Sequence, residues 1–132
     1  MLNLEIVTPE KKVFSDTVDA VTVPTEAGEL GILNNHSPLI STLKPGVLSY
    51  SRGGALERMV VAGGFVEVSR NSVSILADIA ETVGEINVEA AAAERDNLVR
   101  ELGAWKGTEE EFEARHEQLE KAQARLQLAS GK

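Results

Sequence analysis

VSILADIAETVGEINVEAAAAERDNLV, residues 73–99, changes its period half-way along. In its first part Val73, Ile75, Ala77 and Ile79 alternate with Ser74, Leu76 and Asp78, the two-residue period of a strand with one buried face. After Asn87 come Ala, Glu, Arg and Leu, with apolar residues three and four apart, as on one side of a helix. The break at Gly84–Asn87 predicts two parts, a β-rich domain over residues 1–86 and a helical one over 87–132.

Upstream of the break, strand patterns are dense. Leu2, Leu4 and Ile6 alternate with Asn3, Glu5 and Val7, and further strands are predicted at Thr17–Val23, Val47–Ser51, Leu56–Ala62 and Phe65–Ser69. Pro45-Gly46, Gly53-Gly54, Gly63-Gly64 and Asn71-Ser72 punctuate them as turns. Many short strands with no helix between them imply a β-sandwich or barrel. The stretch from Gly28 to Gly46 reads as a pair of loops, either merely closing the domain or forming a docking surface at its end.

Downstream, Asn87 is a helix N-cap with Glu89 in the first turn. Val88, Ala91, Ala92, Leu98, Val99 and Leu102 form one stripe, and Gly103 ends the helix. Thr108 and Glu111 have the spacing of a capping box for a second helix. Phe112, Leu119 and Leu126, seven apart, with Ala122 and Ala129 beside them, make an antiparallel seam. The short link Gly103–Gly107 closes a hairpin. Its large apolar residues are few, so the hairpin is expected to be the mobile part and the β domain the stable one.

Composition narrows the function. The net charge is −8, from 13 basic and 21 acidic residues, which disfavours nucleic acid and anionic membrane surfaces as partners. Without cysteine there is no disulfide, thiol nucleophile or thiolate metal site. Met1–Glu10 holds no basic residue and does not read as a secretory signal, and no apolar run reaches the ~20 residues of a membrane span. No phosphate-cradling G-x-x-x-x-G-K-[ST] pattern occurs, and Gly28-Glu29-Leu30-Gly31 reads as a turn between strands. His36 and His116 lie in different parts with no clustered ligands, so no metal is expected. There is no G-x-S-x-G elbow, and Glu109, Glu110 and Glu111 suit a helix start rather than acid–base chemistry. No catalytic residue, cofactor or metal ligand is nominated.

Several stretches carry a resemblance: LEIVTP (4–9), Val21–Pro24, GELGIL (28–33), NHSPL (35–39), LKPGVL (43–48), AGGFVEV (62–68) and VSILAD (73–78). In this order, before an Ala/Glu-rich tail, they resemble the epsilon subunit of F-type ATP synthases, along the whole chain. The opening MLNLEIVTP and the short tail look most like the cyanobacterial and chloroplast branch.

The resemblance implies an α+β fold, a ten-stranded β-sandwich followed by an antiparallel two-helix hairpin, and a non-catalytic subunit of the central stalk. The sandwich would bind the gamma subunit on one side and the c-ring at one end, with Glu29 and His36 matching the ring-docking loops. Rotating with the ring, the subunit would couple proton flow to ATP synthesis. The hairpin, raised toward the alpha/beta catalytic head, would inhibit ATP hydrolysis, with Arg115, Lys121 and Arg125 as candidate head contacts and Gly103 and Gly107 as hinge. Each of those cations also suits a solvated face with ion pairs such as Glu117–Lys121. The protein would be peripheral, held through the complex on the cytoplasmic or stromal side of an energy-transducing membrane, a thylakoid if cyanobacterial. One motif departs from the family. Some bacterial epsilon subunits bind ATP through Ile/Leu-Asp-x-x-Arg-Ala, and here Ile86, Asn87, Val88, Glu89, Ala90 and Ala91 stand in its place. With Asn for Asp and Ala for the phosphate-gripping Arg, direct ATP sensing is not expected. A client-binding chaperone or adaptor would instead expose apolar residues at the hairpin tip, where only Trp105 qualifies; an enzyme would need the nucleophile or metal set that is missing.

Overall fold

The computed structural model describes residues 1–131. Ten strands come first: β1 Leu2–Val7, β2 Lys12–Val18, β3 Ala20–Thr25, β4 Gly28–Ile32, β5 Leu39–Thr42, β6 Gly46–Arg52, β7 Ala55–Ala62, β8 Phe65–Ser69, β9 Ser72–Leu76 and β10 Ile79–Glu81. A 3-10 turn, Val83–Glu85, leads into two helices, α1 Val88–Gly103 and α2 Glu109–Ala129.

The strands form two five-stranded sheets, ordered β2-β1-β9-β8-β5 and β10-β7-β6-β3-β4, a sandwich in which all neighbours are antiparallel except β1 and β9. The core between them follows the alternation read in the sequence. Leu2, Leu4 and Ile6 point inward from β1, Val66 and Val68 from β8, Val73 and Ile75 from β9, and Val21, Val23, Leu48 and Val61 face them from the other sheet.

Two strand readings need correction. Thr17–Val23 is not one strand: β2 ends at Val18 and β3 begins at Ala20, in the other sheet. Asp19 makes the corner, its N–H donating to the Ser51 carbonyl (2.8 Å) and its carboxylate accepting from the Gly53 N–H (3.1 Å). Nor is Gly28–Gly46 only loop or Gly28–Gly31 only a turn, because β4 and β5 lie within that stretch. Both are edge strands, so each pairs on one side only and has little buried surface to impose an apolar alternation.

Gly63 and Gly64, both with positive φ, carry the chain from β7 in one sheet to β8 in the other. A Cβ on Gly64 would run into the Leu76 carbonyl oxygen, so the entry to β8 lies against the end of β9 through bare backbone.

Both helices begin at the residues expected. The Asn87 side chain accepts from the Ala90 N–H (3.0 Å) and the Thr108 hydroxyl from the Glu111 N–H (3.2 Å). The α1 stripe is narrower than read: Ala91 and Leu98 are buried, whereas Val88 and Val99 are exposed. Val88 is the first helical residue, and Val99 sits about 100° round the helix from Leu98. On α2, Leu119 and Ala122 of the heptad seam are buried, but so are Ala124 and Leu128, which the seam does not contain. Those two pack with Val60, Val47 and Ile86, because α2 lies on β6 and β7 as well as against α1.

Candidate functional site

The two outer faces of the sandwich differ. One sheet carries α2 on its strands β6 and β7. The other has a bare row, Thr42, Phe65, Leu76 and Val7, aligned across β5, β8, β9 and β1 by strand register, with Ile40 two residues from Thr42. Ile40 is 68% exposed, Phe65 42% and Leu76 41%. The sequence does mark two of them: in FVEVS, Val66 and Val68 face the core, which turns Phe65 outward, and Val73 and Ile75 do the same for Leu76. Large apolar side chains grouped on an exposed sheet face mark an interaction surface.

Glu29 is the second residue of β4, opposite Pro24 on β3, and lines a groove of about 410 Å³ with Lys44, Arg58, Glu120 and Gln127. His36 lies past the far end of β4, its Nδ1 2.7 Å from the Ser37 carbonyl oxygen, beside Asn35 with φ 63°. Glu29 is near the start of β4 and His36 lies four residues past its end.

Charged contacts tie α2 to the sandwich. Lys44 Nζ is 3.1 Å from a Glu120 oxygen, the other oxygen of which lies 3.5 Å from His116 Nδ1. Arg58 donates to the Gly131 carbonyl at 3.2 Å. Arg125 grips Glu81 with two bonds, Nε to Oε1 at 2.7 Å and Nη2 to Oε2 at 3.1 Å, and both side chains are largely shielded. That bonding raises the Arg125 pKa above its ordinary value, against the opposing effect of burial. Sequence reading nominated Arg125 but missed Glu81, Lys44 and Glu120, whose partners lie far off in the chain.

The other nominated residues sit apart. Arg115 pairs with Glu101 across the hairpin (3.0 Å). Among the described residues Lys121 enters no ion pair, so the Glu117–Lys121 pair does not form; His116 with Glu120 is the i,i+4 contact on that helix. Gly103 has open space around it. Gly107 lies under Trp105, where a Cβ would meet the indole. Trp105 Nε1 donates to the Thr108 carbonyl (3.0 Å), and the ring meets Phe112 edge-on, so the tip has a small core of its own.

Ile86, Asn87, Ala90 and Ala91 line a cleft of about 170 Å³ with Glu81, Glu85, Glu94 and Arg125. Three carboxylates face one guanidinium there, and Glu81 already holds that guanidinium. Glu85 accepts from the N–H and the hydroxyl of Thr82 (3.1 and 2.9 Å), which lowers its pKa. Among the described residues no group of three or more His, Asp or Glu could hold a metal, and no helix is long and apolar enough to cross a membrane.

Residues 1–83 match the family model for the ATP synthase delta/epsilon chain β-sandwich domain. The chain is 44% identical over 128 residues to an ATP synthase epsilon chain of Syntrophobacter fumaroxidans, covering 97% of this chain and 95% of that one. It is 42% identical over 126 residues to that of Desulforamulus reducens, at 96% and 95% coverage, and 40% over 128 residues to that of an Anaeromyxobacter species, at 97% of each. Among solved structures, a chain of the Euglena gracilis mitochondrial ATP synthase OSCP/F1/c-ring assembly superposes with TM-score 0.83 at 25% identity, covering 98% of this chain and 81% of that one. One from the Tetrahymena thermophila mitochondrial ATP synthase central stalk and c-ring gives 0.72 at 19% identity, covering 97% and 96%, a likeness of fold. Matched along nearly its whole length, the chain belongs to the epsilon chains of ATP synthase, a family of non-catalytic subunits of that enzyme.

Proposed function

We propose that this chain is a rotor subunit in the central stalk of a proton-translocating ATP synthase and that it seats the gamma subunit on its bare sheet. The observation that carries this is the asymmetry of the sandwich. One sheet is occupied by the chain's own α2, whereas the other presents Ile40, Phe65 and Leu76 to a partner. The likeness to a chain of the Euglena gracilis mitochondrial ATP synthase OSCP/F1/c-ring assembly supports the setting. The c-ring would be met through Glu29 and His36 as separate contacts at the two ends of β4, and rotation of the ring would reach gamma through the sandwich.

Residues 1–86 act as the binding domain and 87–132 as a regulatory hairpin that, when raised, inhibits ATP hydrolysis. Arg115, Lys121 and Arg125 are the proposed head contacts, and Gly103 and Gly107 the proposed hinge. The packing of Gly107 under Trp105 makes opening of the tip dependent on releasing that indole. The protein sits peripherally on its membrane through the complex. A thylakoid location rested on the opening MLNLEIVTP and the short tail. Relatives from Syntrophobacter and Desulforamulus are covered over 95% of their length, so the tail does not single out the photosynthetic branch. The cleft at the start of α1, crowded with carboxylates, is read as empty of nucleotide, and calorimetric titration with ATP should give no stoichiometric micromolar complex.

Affinity purification of the tagged protein from native membranes tests the main reading. Recovery with alpha, beta, gamma and c subunits is expected, and Phe65→Asp should reduce the recovery of gamma. Recovery with diverse clients instead would favour a chaperone or adaptor, a reading that the engaged Trp105 does not support.

A further inference from the structure

The cleft beside the start of α1 joins the last strand of the sandwich to the second helix of the hairpin through one charged pair. Glu81 is the final residue of β10, and Arg125 lies on α2, 44 residues later. Both carboxylate oxygens are engaged, the geometry in which a guanidinium binds a carboxylate most specifically. Only about a fifth of the Arg125 side chain and a quarter of the Glu81 side chain are exposed, so solvent screens the pair less than it does Lys12–Glu5 or Arg115–Glu101 at the surface. Among the described residues, Arg125 is also the only cation lining a cleft that holds Glu81, Glu85 and Glu94. Without it, carboxylates from β10, the 3-10 turn and α1 would repel one another.

We propose that Glu81–Arg125 is a built-in latch that holds the hairpin on the sandwich without a bound ligand, the chain's own carboxylate occupying the guanidinium that an external anion would otherwise seek. The latch is a property of the isolated chain. Only its consequence for ATP hydrolysis rests on the regulatory reading above, so the two can fail separately.

Amide hydrogen exchange on the isolated full-length protein tests it, comparing the parent with Glu81→Gln, Arg125→Gln and the double variant. Each single change should quicken exchange of the α2 amides about tenfold while buried strand amides such as those of Val23, Val61 and Ile75 keep their parent rates. The double variant should exchange no faster than either single one, because both remove the same interaction. Parent-like α2 exchange in the single variants, additive effects in the double, or equal quickening of the strands would overturn the latch.

Discussion

A methyl group at position 64 separates steric demand from mere glycine content. Gly64 has φ 88° and lies against the Leu76 carbonyl, whereas Gly31 on β4 has neither a positive φ nor an atom within 4 Å of its virtual Cβ. Gly64→Ala should therefore cost roughly 2–4 kcal/mol in urea denaturation, and Gly31→Ala should stay within about 0.5 kcal/mol of the parent. Glu85 allows a pH test at the same scale. Hydrogen bonds from the Thr82 N–H, then from its hydroxyl, lower the Glu85 pKa in the folded chain. A depressed carboxylate stabilises above its ordinary pKa, and that contribution is lost as pH falls through the folded value. Thr82→Ala removes the hydroxyl and keeps the backbone N–H, so the Glu85 midpoint followed by NMR should rise part of the way to its ordinary value; an unchanged midpoint would contradict the bonding.

Which elements were legible followed from how much surface each one buries. β1, β8 and β9 pack one face on the core, and that requirement wrote a clear alternation into their sequences. The edge strands β4 and β5 bury little, so nothing forced apolar residues onto a regular period. The caps at Asn87 and Thr108 were readable because they act within three residues. The row Ala124–Leu128 was not, because its partner Val60 lies on another element. Ion pairs such as Glu81–Arg125 escaped for the same reason: charge alone does not name a partner 44 residues away. The proposed division of labour between domain and hairpin leads to a prediction for elements. Among the described residues, every member of the main buried cluster lies between Leu2 and Ala77, and the hairpin contributes none. A chain ending at Ile86 should melt in one cooperative transition, losing only about 1–2 kcal/mol for uncovering Val60 and Val47. A non-cooperative melt would show that the sandwich needs its hairpin.

For the molecule as a whole, the proposed raised position of the hairpin would draw on the groups that hold it folded. While folded, α2 holds Arg125 against Glu81 and Lys44 against Glu120; raised, it would free those charges for a partner. Glu81→Gln and Arg125→Gln both break the latch, but only the first leaves a guanidinium for the catalytic head. In assembled ATP synthase, Glu81→Gln should therefore deepen inhibition of ATP hydrolysis, and Arg125→Gln should not. Length supports the raised state, since residues 87–130 as one continuous helix would span about 65 Å at 1.5 Å per residue, roughly twice the folded hairpin. The absence of cysteine allows a direct test. Val47 and Ala124 line the same groove and belong to the same packed cluster between sandwich and α2. With Val47→Cys and Ala124→Cys in one chain, oxidation should pin the hairpin down and relieve inhibition of hydrolysis, and reduction should restore it. Unlike the charge variants, this pair leaves Glu81, Arg125, Lys44 and Glu120 in place, so any change reports position rather than charge. If the oxidised complex is inhibited as strongly as the reduced one, inhibition does not need the hairpin to rise, and the folded state seen here is itself compatible with inhibition.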